Sequence, residues 1–484
     1  MSEPESSRDS RDELIGRLRA DNERLAAENA ELKARLGRLE RLISRNSGNS
    51  SMPPSADDLP GRTPPKSPKG TAKRRRGKQK GSPGAALERV DHPDRVERVF
   101  PDWCAGCGHG LDPLVHQIVS VAARQQIDIP LTCARVTEYR LHELRCGCGR
   151  VTRADLPEGV GDVAIGYGPN LATLCVYLLV FQAIPVERCA QLIADLTGAE
   201  PSTGFVHGML ERAAVLLEGF ETTVKMLIIA SNVVHLDETT LRAGPRGVKK
   251  YVWVAATGLY TAYFLGGRGR DDLAAFGIGD GFRGYAVHDR YDTYDRGALA
   301  DAAGHQLCCA HLLRDLADAA ECYPDQHWPA QAQRELRALI GAHHRAREAG
   351  LTQVPADQRS SHITELRRAV RVGLAAIPRV PGAKAKQNVG RCLLEALRDR
   401  EADVLRFVFD TAIPPTNNQA ERDLRPWKTV QKISGRLQSD TTTKHRLIIR
   451  GYISTAAKHG INIMEALRDL ITGKPWTPPA LVTM

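Results

Sequence analysis

The chain has 484 residues, of which 42% are hydrophobic and 26% charged. Those proportions exclude a fibre and a low-complexity polymer, and the length suggests two to four domains. The formal net charge of +10 is concentrated: Arg62–Lys80 carries nine Lys/Arg and no acid, and residues 411–484 carry eleven Lys/Arg against five acids. Two basic windows in a slightly acidic body point to a polyanionic partner, nucleic acid.

Eleven cysteines, an odd number, in a long chain with polar and charged residues 1–13 argue against a secreted disulfide framework. The longest apolar stretch, near Leu171–Val186, contains Thr173, Gln182 and Pro185 and is too short to span a bilayer. The expected location is cytoplasmic, with no membrane partner.

Residues 14–43 read as a leucine-zipper coiled coil. Leu18, Leu25, Leu32 and Leu39 share one heptad position, and Ile15, Asn22, Asn29, Leu36 and Ile43 share the other. Leu at d with Ile, Leu and Asn at a predicts a parallel homodimer. Residues 46–90 read as a basic Pro/Ser-rich linker. Its run Lys73, Arg74, Arg75 and Arg76 suits phosphate contact without sequence readout.

Residues 91–155 read as a small zinc-binding β module. Cys104 and Cys107 form one pair and Cys146 and Cys148 another, with strand-like alternation between them. Two thiolate pairs at the tips of β-knuckles suit a tetrahedral structural Zn2+, which a module with a limited core needs. Cys133 is a weaker ligand candidate. Residues 164–230 read as a helical domain: a buried helix over 170–183, an amphipathic helix over 186–196 ending at Gly198, and a third helix capped by Ser202 or Thr203. That outline allows a helix-turn-helix in contact with DNA.

From residue 231 the pattern changes. Val233–Thr239, Tyr251–Ala256 and Thr261–Leu265 read as an antiparallel meander, followed by a short helix over 271–277. Gly284–His288 and His305–Cys309 read as two further strands, the last running into a helix from His311. The order is that of a ribonuclease H-like α/β catalytic core. In that topology the fourth strand lies beside the first, so Asp237 and Asp289 meet at the centre of the sheet.

Facing carboxylates repel unless a cation lies between them, and all-oxygen ligation favours Mg2+ or Mn2+. Two such ions activate water or a 3′-hydroxyl and stabilise the leaving oxygen of a phosphodiester. Glu421, on a helix that Thr416 or Asn417 caps, is the third candidate. Arg422, Arg425 and Lys428 follow it, suited to DNA phosphates. Glu238 points away from Asp237 along the strand and reads as structural, and Cys308 and Cys309 read as core thiols. Residues 231–320 are thus the first part of the core, 321–410 a helical insertion, and 411–484 the last part with the Glu421 helix. The whole is a multidomain α+β protein.

These motifs resemble the transposases of the insertion sequence 66 family. The resemblance rests on the zipper, Asn49–Ser55, the cysteine module, His235–Thr239 and Val287–Asp289. It continues through Cys309–Arg314, Thr416–Arg422, Lys432–Gly435 and Tyr452–Ala456. It implies a DDE transposase with Asp237, Asp289 and Glu421 as metal ligands. It also implies terminal inverted repeats and target DNA as partners, a nucleoid-associated location, and small companion proteins of the same element. Apart from the resemblance, His311 and Arg314 at the start of their helix are accessory candidates for contact with the scissile phosphate, the alternative being that His311 simply caps and packs. Two departures stand out: Arg290 follows Asp289 where the family often has Gly, which keeps Asp292 and Asp295 in view, and the second cysteine pair is C-x-C. The rival reading is a DNA-binding regulator with a vestigial nuclease core.

Overall fold

The computed structural model describes residues 16–26, 28, 29, 32, 36, 89–129, 133–157, 160–295, 297, 299–382 and 387–479. The Lys73–Arg76 run and nearly all of the linker lie outside them. The chain divides into two compact units, residues 1–66 with 136–484, and residues 67–135. Residues 16–26 are helical, and the seam positions Leu18, Leu25, Leu32 and Leu36 are all exposed; Ile15, Leu39 and Ile43 lie outside the described residues.

The first cysteine pair sits in the 67–135 unit. Its chain reverses between Trp103 and Gly110, with Gly108 N–H donating to Cys104 O at 2.9 Å and Cys104 N–H to His109 O at 2.8 Å. The second pair lies in the other unit, at the tip of a hairpin of β1 (Glu143–Arg145) and β2 (Val151–Arg153).

The helical segment begins with α1 (Pro169–Val176), which continues as a π-helical turn over Tyr177–Phe181. Next come α2 (Val186–Thr197), α3 (Thr203–Val215) and α4 (Phe220–Ile229). Gly198 takes φ 71° at the C-terminus of α2, a conformation glycine adopts without steric cost. Ser202 caps α3 by accepting the Phe205 N–H at 3.1 Å. The buried face of α3 is Val206, Met209, Leu210, Ala213 and Ala214. Its exposed face carries Glu211 and Arg212, with no excess of positive charge.

The centre of the fold is a five-stranded sheet of β3 (Val233–Leu241), β4 (Lys250–Ala256), β5 (Thr261–Gly266), β6 (Tyr285–His288) and β7 (Gly304–Leu307). The order is β5-β4-β3-β6-β7. The first three strands form the antiparallel meander, and β6 and β7 run parallel to β3. Helix α5 (Arg270–Phe276) joins β5 toward β6. Tyr251–Ala256 of β4 are all buried, as expected of a strand covered on both faces.

Side-chain alternation divides the strands between two cores. Tyr251, Trp253 and Ala255 join Val234 and Leu236 in a cluster with α1, α3 and α4. Val252, Val254 and Ala256 join Leu241 in a second cluster, with Ala420, Leu424 and Trp427. Those last three residues belong to α11 (Asn418–Ser434), so that helix covers one face of the sheet. Two more helices, α12 (Asp440–Lys458) and α13 (Ile463–Ile471), complete the described chain.

Between β7 and α11 lie α6 (Cys309–Cys322), α7 (Trp328–Glu348), α8 (Ala356–Ala376), α9 (Val389–Asp399) and α10 (Glu401–Phe409). Leu336, Leu339, Leu366, Leu394 and Phe407 of these helices share a core with Leu307, Leu312 and Leu316. The insertion therefore grows outward from the β7 end of the sheet. Among the described residues no helix is long and apolar enough to cross a membrane.

Candidate active site

Register decides where the acids fall. Val233, Val234 and His235 of β3 pair with Tyr285, Ala286 and Val287 of β6. Asp237 is two residues beyond His235, and Asp289 two beyond Val287. In parallel strands this brings both to the same level on neighbouring strands. Asp237 pairs with Val254 in β4 and Glu238 with Trp253. Because Val254 faces α11 and Trp253 faces the opposite core, Asp237 points toward α11 and Glu238 away from it.

The two neighbouring acids have different fates. The Glu238 side chain is 2% exposed and receives Arg268 at 2.7 Å and the Tyr294 hydroxyl. It is a structural group, as its strand position suggests. The half-buried Asp237 makes one hydrogen bond at Oδ1, from the Glu238 N–H at 2.8 Å. Burial pushes its carboxyl well above the ordinary carboxylate range, and the charges of Glu238, Asp289 and Glu421 push it further. Asp289 Oδ1 accepts the Tyr291 N–H at 2.8 Å.

Glu421 arrives from α11, and the start of that helix is sewn to the sheet. Asn417 holds the cap position, but its side chain does not cap the helix. Instead Asn417 Nδ2 donates to Leu236 O at 2.7 Å, and Oδ1 lies 3.1 Å from His235 Nδ1. This corrects the expected capping role: a buried amide finds better partners in the adjacent strand than in its own helix. Burial lowers His235 to about 4, so the imidazole is neutral and donates from Nδ1 to the amide oxygen. Asn417 N–H donates to Cys308 Sγ at 3.2 Å and Cys309 N–H to Pro415 O at 2.9 Å. Nearly two turns further on, Asp423 takes Lys458 at 2.8 Å and the Thr261 hydroxyl at 3.2 Å. None of these ties is visible in local sequence; Asn417, His235, Cys308 and Asp423 all act across long chain separations.

His311 and Arg314, at the start of α6, complete the constellation. His311 Nδ1 lies 4.0 Å from Glu421 Oε1, and Arg314 lies 3.8 Å from the same oxygen. His311 is lowered by burial first and by Arg314 next, while Asp289, Glu421 and Asp315 oppose the shift. His311 therefore shares the field of both Asp289 and Glu421. Arg290 turns aside to pair with Asp315. Asp295 pairs with Arg400 of the insertion at 2.6 Å, and Asp292 is exposed.

The arrangement fits a divalent cation. Asp237 of β3, Asp289 at the end of β6 and Glu421 of α11 lie near enough for Asp289 and Glu421 to raise Asp237, Glu421 Oε1 is buried without a hydrogen-bond partner, and Cys308 and His311 offer ligand atoms within 4.8 Å of that carboxylate. A cation relieves both the repulsion and the unmet acceptor. Along the exposed side of α11, Arg422, Arg425 and Lys428 make no salt bridge among the described residues. In the cysteine turns, backbone N–H groups of Cys107 and Gly106 pull Cys104 below the ordinary thiol range, and that of Cys148 does the same to Cys146. Each turn thus favours a thiolate.

The sequence profile of the Transposase IS66 family matches residues 165–445, which spans the sheet, the insertion, Asp237, Asp289 and Glu421. The chain belongs to the IS66 transposase family. Membership implies a DNA-processing enzyme that binds DNA and uses divalent metal. A second profile, a family of unknown function (DUF6444), matches residues 1–88, ahead of the cysteine turns. No curated protein matches the chain.

Proposed function

We propose that this IS66-family chain is a DDE-type transposase that cuts DNA at the terminal inverted repeats of its element and joins the freed ends to target DNA. The observation that carries this reading is the shared field of Asp237, Asp289 and Glu421, delivered by two neighbouring parallel strands and a packed helix. The strand order, with three antiparallel strands and two parallel ones, supports a ribonuclease H-like core. Asp237, Asp289 and Glu421 would be the ligands of two Mg2+ or Mn2+ ions, Glu421 serving the second. Such ions supply an activated water or 3′-hydroxyl and stabilise the leaving oxygen. The chain's own part is to keep three acids at fixed spacing against their mutual repulsion, through the Asn417 and Asp423 anchors of α11.

Arg422, Arg425 and Lys428 lie beside the acids and take phosphates of the bound strand, with the Lys73–Arg76 run adding a salt-dependent hold. The Cys104–Cys107 turn and the Cys146–Cys148 hairpin tip each offer a thiolate pair suited to structural Zn2+, and residues 14–43 pair two copies through their Leu seam. Companion proteins of the same element join the assembly in the cytoplasm.

The test is end cleavage and strand joining on the DNA flanking the gene, with Mg2+. Wild type should give joined products. Asp237→Asn, Asp289→Asn and Glu421→Gln should each lose about a thousandfold or more in cleavage while still binding DNA. Cleavage at the wild-type rate by any of the three removes that residue from the site. Binding without chemistry by wild type favours a regulator.

A further inference from the structure

Two buried atoms in the site lack a partner, and they face each other. His311 Nδ1 and Glu421 Oε1 each make no hydrogen bond, and they stand 4.0 Å apart. Leaving a buried polar atom unmet costs about 1–3 kcal/mol, so two at one place point to a shared partner. A direct hydrogen bond does not span that distance. Arg314 is the nearest cation, and at 3.8 Å from Glu421 Oε1 it too is beyond hydrogen-bond reach.

A divalent ion spans it. With ligand bonds of about 2.1 Å, two ligand atoms on one ion lie between about 3.0 Å, at a right angle, and about 4.2 Å, in line. The observed separation falls inside that range, toward the in-line end. Cys308 Sγ is close to both atoms, but it is fully buried and already accepts the Asn417 N–H. That bond fixes the start of α11, so the thiol serves the helix.

We propose that His311 is a nitrogen ligand to the same divalent ion that Glu421 holds, and that this centre prefers a first-row ion such as Mn2+ or Co2+ over Mg2+. The inference rests on the carboxylate site proposed above. Its basis is ligand chemistry. Mg2+ keeps oxygen ligands and water in octahedral array, whereas imidazole draws first-row transition ions, more strongly along the series from Mn2+ to Co2+. A purely carboxylate centre has no reason to make that distinction so strongly.

The test uses the full-length, metal-stripped protein with Mn2+ alone as the probe. Pulsed electron paramagnetic resonance on wild type should show the 14N coupling of one directly bound imidazole. The coupling should vanish in His311→Gln and in wild type should depend on Glu421. Competition binding should show Mn2+ affinity falling at least about tenfold in His311→Gln, with Mg2+ affinity changed far less.

Three results overturn the inference. If Mn2+ binds in a manner lost with Glu421→Gln but shows no nitrogen coupling, His311 is not a ligand and the carboxylate site stands. Coupling that survives His311→Gln assigns the nitrogen elsewhere. If no Mn2+ binding responds to Asp237→Asn or Glu421→Gln, the carboxylate reading fails together with the inference. The wild-type spectrum decides the first case even if the variant misfolds.

Discussion

Two histidine–carboxylate clusters flank Asp289, and they are built differently. On one side His288 Nε2 lies 2.9 Å from His305 Nδ1, His288 Nδ1 meets the Asp289 carbonyl, and Asp295 is held by Arg400. The network is consistent with one set of protons: His305 Nδ1–H donates to His288, and His288 Nδ1–H donates to the carbonyl. On the other side His311 and Glu421 face each other unpaired. Residue type makes both look like metal sites. Partner accounting separates them. The first is a brace, complete within the protein, that ties the insertion to the strand end carrying Asp289. The second is complete only with something added.

The comparison can be broken most severely at Asn417. Replacing it by alanine strands the Leu236 carbonyl and His235 Nδ1 in the core, an expected loss of about 2–4 kcal/mol. It also frees the helix that carries Glu421, so cleavage should fall along with the melting temperature. Unchanged stability would mean that the helix is fixed by Asp423 and its apolar face alone.

Acid should attack the buried imidazoles next. Burial lowers His288 to about 3 and His235 to about 4. Both folded values lie below the unfolded one near 6.5, so the unfolded chain takes up protons first as pH falls. Stability is complete above pH 6.5 and is lost on the way down to about 4, by about 3 kcal/mol for His235 alone. Denaturant titrations at pH 7 and pH 4.5 measure the slope; a flat profile would place these rings in water.

Arg400→Ala sharpens the contrast at smaller cost. It removes the close partner of Asp295 and leaves Asp403 to Arg406 alone, an expected loss of about 1–2 kcal/mol because the group is partly exposed. Mn2+ affinity should not change, whereas a shared role for the two clusters predicts that it falls. Smallest is Arg425→Ala on the open side of α11. Folding should be unaffected, DNA binding should weaken for all sequences alike, and the salt dependence should drop by about one charge.

Much of the core was legible in advance because it is local. The apolar alternation of β3, β4 and β5, Gly198 ending α2, Ser202 starting α3 and the helical character of residues 321–410 all leave marks within a few residues. The topology then carried Asp237 to Asp289 without any further signal. What escaped were long-range polar ties. Asn417 looks like a cap, since its type and place fit one, yet a strand 180 residues earlier claims its side chain. His288 and His305 look like strand residues until β6 and β7 lie side by side. The reach of Glu421 was readable as a helix position, but the ties that hold it steady were not.

The edge strand β7 has only four residues, and the helical insertion takes up what it would otherwise offer. The Gln306 amide satisfies Val404 O at 3.1 Å and Phe407 N–H at 3.0 Å, and Arg406 donates to His305 O at 2.9 Å. An open strand edge is a template for pairing with another chain. Here α10 stands in the place of that chain. On the β7 side, two copies crowded together would therefore meet helix against helix rather than strand against strand.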